Sequence, residues 1–183
     1  MINPFETIIP ASFLTILTAT AALLDLRTHK IPNTVTFPAM LMAIAYFSAV
    51  HGWDGMLFSM GGAGAGVALL LLPYIMGGMG AGDAKLMGAV GACLGAERTL
   101  EAFLIIALMG CLYAVLVIVF QRRRLKGYYK QLWLTVQGML LTRHYIPVET
   151  VQDERPKVYY GVAIGVGTLA YLAMQMTSGQ LTL

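Results

Sequence analysis

The sequence predicts an all-α, polytopic integral membrane protein of about six transmembrane helices, and three observations carry that expectation. Of its 183 residues 58% are hydrophobic and only 11% charged, whereas soluble domains carry about 25% charged residues. The apolar residues gather into six segments, separated by short polar or glycine-rich stretches and, before the last, by a longer basic loop. The basic residues, finally, fall almost entirely on one side of the membrane once those segments are taken as crossings. A chain this long makes one membrane-embedded domain over residues 1–183, with no room for a sizeable soluble domain beside it.

The segments cover residues 5–24, 35–50, 56–76, 84–96, 100–120 and 158–176, against the roughly 20 residues that a spanning helix needs. The first follows Met1-Ile2-Asn3-Pro4-Phe5-Glu6, with no basic region and no small-residue cleavage site, so it reads as a retained span. Asn33 and Thr34 are candidate N-caps for the second, and Pro38 either delays its regular helix or kinks it. Gly62-x-x-x-Gly66 in the third and Gly91-x-x-x-Gly95 in the fourth have the small-residue spacing that lets membrane helices approach closely.

The fourth segment is the shortest, and by length alone it is either a re-entrant piece or a full span. Charge decides between them. With six crossings, eleven of the twelve Lys and Arg lie on one side and only Arg98 on the other. If residues 84–96 did not cross, Arg122, Arg123, Arg124 and Lys126 would move to the outer side. The positive-inside rule therefore predicts six spans, both termini outside, and a cytoplasmic loop over about 121–157. In that loop Tyr128, Leu132, Trp133, Val136, Met139 and Leu140 recur at near-helical spacing behind basic residues. This pattern suits an amphipathic helix lying in the interface on anionic lipid. Orientation accounts for the basic run, so no nucleic-acid partner is expected.

The stretch Gly77-Gly78-Met79-Gly80-Ala81-Gly82-Asp83-Ala84-Lys85 places several glycines and then a carboxylate in an apolar run, and Asp25 ends the first apolar segment in similar surroundings. An ionisable residue at membrane depth is costly and marks a candidate functional site. The six-span topology puts Asp25 and Asp83 at the same cytoplasmic boundary. Two carboxylates within hydrogen-bond reach share a proton, so one activates water while the other protonates the carbonyl oxygen or leaving group. Exposed backbone at Gly80 to Gly82 is available to pair with an extended peptide. The plainer readings are a tight turn for the glycines and solvated helix-ending charges for the aspartates. Lys85 either binds substrate, steadies the Asp83 anion, or snorkels to the boundary.

No metal and no cofactor is expected. His29, His51 and His144 fall in different loops and there is no His-Glu-x-x-His. Cys93 and Cys111 form no Cys-x-x-Cys pair and read as small apolar residues.

Gly80-Ala81-Gly82-Asp83, followed by Ala84-Lys85-Leu86-Met87, resembles the Gly-x-Gly-Asp signature of intramembrane aspartyl proteases, and in particular the bacterial and archaeal prepilin peptidases. Asp25-Leu26-Arg27-Thr28-His29-Lys30-Ile31-Pro32-Asn33 is similar to the first aspartate motif of that family. Tyr160-Gly161-Val162-Ala163-Ile164-Gly165-Val166-Gly167 is similar to its C-terminal helix, except that Tyr159 stands where proline is common. The resemblance implies an aspartic endopeptidase with Asp25 and Asp83 catalytic. Its expected partner is the N-terminal segment of a prepilin or pseudopilin precursor, whose leader it cleaves at the cytoplasmic face of the inner membrane. Many relatives add a cytoplasmic insertion with paired Cys-x-x-Cys and methylate the new N-terminus. This chain has neither, and so looks like the short, stand-alone form of tight-adherence (Flp-type) pili, with no methyl transfer. Two other classes stay open: a proton- or cation-coupled transporter using the same aspartates, and a non-catalytic subunit of a secretion apparatus, which would tolerate Asp83→Asn.

Overall fold

In the computed structural model the described residues are 4–76, 78–120 and 159–177, and all regular structure among them is helical. Helix α1 runs Pro4–Thr28, α2 Asn33–Ile75, α3 Ala81–Phe120 and α4 Tyr160–Thr177. The basic loop expected over 121–157 lies outside the described residues. The chain forms two compact units, one of residues 1–110 with 159–183 and one of residues 111–158. The helix packing and the site described below lie in the first.

Among the described residues three helices are long and apolar enough to cross a membrane, spanning Ile8–Thr28, Asn33–Ile75 and Ala81–Val117. As a straight rod, the 43 residues of α2 would measure about 65 Å, twice a hydrocarbon core of about 30 Å. One glycine prevents this. Gly52 has φ 61° and ψ −134°, a conformation open to a residue without Cβ. Across it the rings of Phe47 and Phe58 lie 5.0 Å apart, where an unbroken helix would separate them by about 16 Å. The arms 33–51 and 53–75 therefore run side by side, and Gly88 of α3 packs against Met40 of one and Val67 of the other.

The same device recurs in α3. Gly95 has φ 76° and ψ 168°, and a Cβ on Gly91 would stand 3.2 Å from the Thr99 hydroxyl, a residue that a continuous helix would place about 12 Å away. The second and third apolar segments thus form one interrupted helix, as do the fourth and fifth.

The two small-residue motifs pack on each other. Gly62 faces the Gly91 carbonyl and Gly91 the Gly62 carbonyl, while Gly66 meets the Met87 carbonyl and Gly95 the Phe58 ring. The Ser59 hydroxyl donates 2.8 Å to the carbonyl of Ala92. These pairs define an antiparallel contact between arms 53–75 and 81–94 at backbone distance. The short fourth segment is the innermost: Leu86, Met87, Ala89, Val90, Ala92 and Leu94 are all fully buried. A helix apolar all round belongs in an interior. The outward-facing Ile16, Leu41, Leu104 and Leu108 are exposed, as suits a lipid-facing surface.

Asn33 and Thr34 do not cap α2. Pro32 holds the cap position, extended at φ −70° and ψ 144°, with no side-chain hydrogen bond. The Asn33 side chain is committed elsewhere, to Lys85. Pro38 falls in the second turn and the helix continues through it.

Candidate active site

Four helix ends meet at one end of this unit: the C-terminus of α1 and the N-termini of α2, α3 and α4. Each supplies part of a single polar site.

Asp83 is the third residue of α3, preceded by the glycine-rich stretch. The Gly80 N–H donates 3.1 Å to Asp83 Oδ2, and the Asp83 N–H donates 3.1 Å to the Gly80 carbonyl. This reciprocal pair satisfies donors that a helix start otherwise leaves unpaired, in the manner of a capping box. It also holds the carboxylate at the positive end of the helix dipole.

Asp25 sits one turn before the end of α1. Its Oδ2 accepts a 2.9 Å hydrogen bond from the N–H of Gly161, and the Val162 N–H also reaches the carboxylate. Asp25 thus caps α4, a helix 136 positions away in sequence. Both carboxylates are only 7% exposed, and the Asp25 charge reaches Asp83.

Ile31, in the turn between α1 and α2, packs against Gly82 and Gly161. A Cβ on Gly82 would stand 3.0 Å from the Ile31 carbonyl and 3.1 Å from its Cβ, and a Cβ on Gly161 would stand 3.0 Å from Ile31 Cδ1. One apolar side chain thereby bears on the glycine beside Asp83 and on the glycine that bonds Asp25. Glycine at 82 and 161 lets the three elements close on it.

Lys85 has its partners on α2. Its Nζ donates 2.9 Å to Asn33 Oδ1 and lies 5.0 Å from the centroid of the Phe37 ring. It clamps the first turn of α2 to the first turn of α3, beside the carboxylates. Among the described residues no group of three or more His, Cys, Asp and Glu is placed to hold a metal ion.

The structure thus brings Asp25, Asp83, Gly80, Gly82 and Lys85 into one neighbourhood. Gly161 and Ile31 were not singled out by sequence reasoning. Both sit inside quoted motifs, but only their contacts with each other and with Asp25 reveal what they do.

A family model described as the type IV leader peptidase family matches residues 12–115, which include both aspartates. The chain belongs to the type IV leader peptidase family. The Prepilin leader peptidase/N-methyltransferase of Escherichia coli (strain K12) is 31% identical over 129 residues, a match covering 66% of this chain. The chain spans 56% of that relative's length. No solved structure matches it.

Proposed function

We propose that this leader peptidase family member is an aspartic endopeptidase that removes the leader from type IV, Flp-type, prepilins, with Asp25 and Asp83 as its catalytic pair. One observation carries the reading: two buried carboxylates from α1 and α3 share a site, each bonded to backbone N–H groups at a helix start.

The chemistry follows from a pair that holds one proton between two carboxyl groups. The ionised member takes a proton from water, whose oxygen attacks the scissile carbonyl carbon. The protonated member gives its proton to the carbonyl oxygen, and the tetrahedral intermediate collapses as the leaving nitrogen is protonated. Bonds to backbone N–H groups hold both carboxylates without a further side chain. Substrate backbone pairs with main chain at Gly80 to Gly82, of which Gly80 and Ala81 are exposed. Lys85, held by Asn33 and Phe37, ties α2 to α3 beside the pair.

The charge pattern supports six crossings, with this end facing the cytoplasm of a bacterial or archaeal inner membrane and both termini outside. Substrate and enzyme then meet in the membrane, where a prepilin presents a basic leader on the cytoplasmic side of an apolar helix. Methyl transfer forms no part of the proposal: residues 29–32 alone join α1 to α2, and no paired Cys-x-x-Cys stands among them.

Co-expression with a prepilin from the same source tests the reading. Wild type shortens the precursor, and neither Asp25→Asn nor Asp83→Asn does. Proton- or ion-dependent transport without cleavage would favour the transporter class instead.

A further inference from the structure

His29 ends α1 in an unusual conformation. Its φ is 56°, and its N–H donates 2.9 Å to the carbonyl of Asp25. This is the left-handed helix stop that glycine ordinarily supplies, and a residue with a Cβ there is strained by about 1 kcal/mol or more. Histidine is among the residues that tolerate the region, but glycine would be the easier choice for the backbone alone. The ring therefore calls for a separate reason.

The imidazole stacks on Tyr159, with centroids 5.0 Å apart and planes 26° from parallel. Tyr159 lies two residues before Gly161, the donor to Asp25 Oδ2. A closed circuit results: Asp25 main chain to His29, His29 ring to Tyr159, Tyr159 along the chain to Gly161, and Gly161 back to the Asp25 carboxylate. The stack closes the one part of this loop that neither α1 nor α4 fixes alone.

We infer that His29 is a positioning residue which, through its stack on Tyr159, holds the start of α4 against the Asp25 carboxylate. For catalysis this rests on the reading of Asp25 as one of the pair, but the positioning itself does not. His29 also lies within reach of the Asp25 charge, so the test must separate ring from charge.

Two substitutions do so. His29→Gly removes the ring and relieves the backbone, so folding is kept. His29→Phe keeps a stacking ring with no charge and no exchangeable ring proton. A stacked aromatic pair shifts a local equilibrium by between about twofold and about tenfold. H29G should lower kcat for prepilin cleavage by that factor with little change in KM, and hydrogen exchange at the Gly161 amide should quicken to match. Tyr159→Ala should reproduce both effects, and H29G with Y159A should be no worse than either alone. H29F should recover most of what H29G loses, with the wild-type pH profile.

The inference is overturned if H29F is as impaired as H29G, or if its pH profile moves, since the ring would then act through its charge or proton. It is equally overturned if Gly161 exchange is unchanged in H29G. Should wild type cleave no prepilin, the proposed function fails, while the exchange measurement still decides the positioning.

Discussion

The Asp25 carboxylate accepts its 2.9 Å hydrogen bond from the N–H of Gly161, so the side chain that ends α1 is also the cap that begins α4. The position of Asp25 is consequently set by a helix far from it in sequence. A Cβ on Gly161 would lie 2.9 Å from Asp25 Oδ2, 3.0 Å from Asp25 Cβ and 3.0 Å from Ile31 Cδ1. Gly161→Ala therefore displaces the carboxylate rather than unfolding the bundle. Prepilin cleavage should fall by up to about 10-fold, since a misplacement of about 1 Å costs about 100-fold and these contacts ask for a fraction of that, while the thermal midpoint moves little.

Gly82→Ala presses on the opposite side of the site. Its Cβ would meet the Ile31 carbonyl at 3.0 Å and the Ile31 N at 3.4 Å, and main chain yields less readily than a side-chain tip. The α1–α2 turn must move away from Asp83. Activity in G82A should fall at least as far as in G161A, measured in the same assay.

The packing glycines separate into two classes that a stability series distinguishes. Gly62→Ala and Gly91→Ala place a Cβ against a facing carbonyl and should destabilise by about 1–3 kcal/mol, the usual cost of overpacking. Gly61 and Gly64 meet nothing within 4 Å, so Gly61→Ala and Gly64→Ala should be neutral, or stabilising by up to about 1 kcal/mol through helix propensity. Detergent melts of the four variants check the division.

Lys85 and Asn33 act as one clamp. Lys85→Met and Asn33→Ala should each reduce cleavage by about threefold to tenfold, the worth of a hydrogen bond to a charged group at a partly solvated site. The double variant should lose no more than the worse single, and a rate measurement on all four proteins closes the cycle.

Much of the site was legible in the sequence because its signals are local. A carboxylate in an apolar segment stands out whatever the fold, which marks Asp25 and Asp83 as candidates, and Gly80 and Gly82 stand beside one of them. What was not legible depends on distance along the chain. Nothing local tells Gly161 that its N–H will face Asp25, or tells Asn33 that Lys85 will claim the oxygen that its cap reading required. The hinges show a subtler limit. Gly95 reads as the second half of a packing motif, and it does meet Phe58, yet it is also where α3 breaks at φ 76°. Spacing alone cannot separate a glycine that is small from one that turns.

The central claim is that Asp25 and Asp83 act as one unit, and single-turnover cleavage by purified protein tests it most directly. Wild type, D25N, D83N and the double variant D25N/D83N should be compared across pH, with and without a chelator. The account predicts chelator-resistant cleavage by wild type that declines at both acidic and alkaline pH, because the pair must hold one proton. It further predicts that each single substitution costs as much as the double, as residues acting as a unit do. Additive losses, or cleavage that persists in either folded single variant, would contradict it.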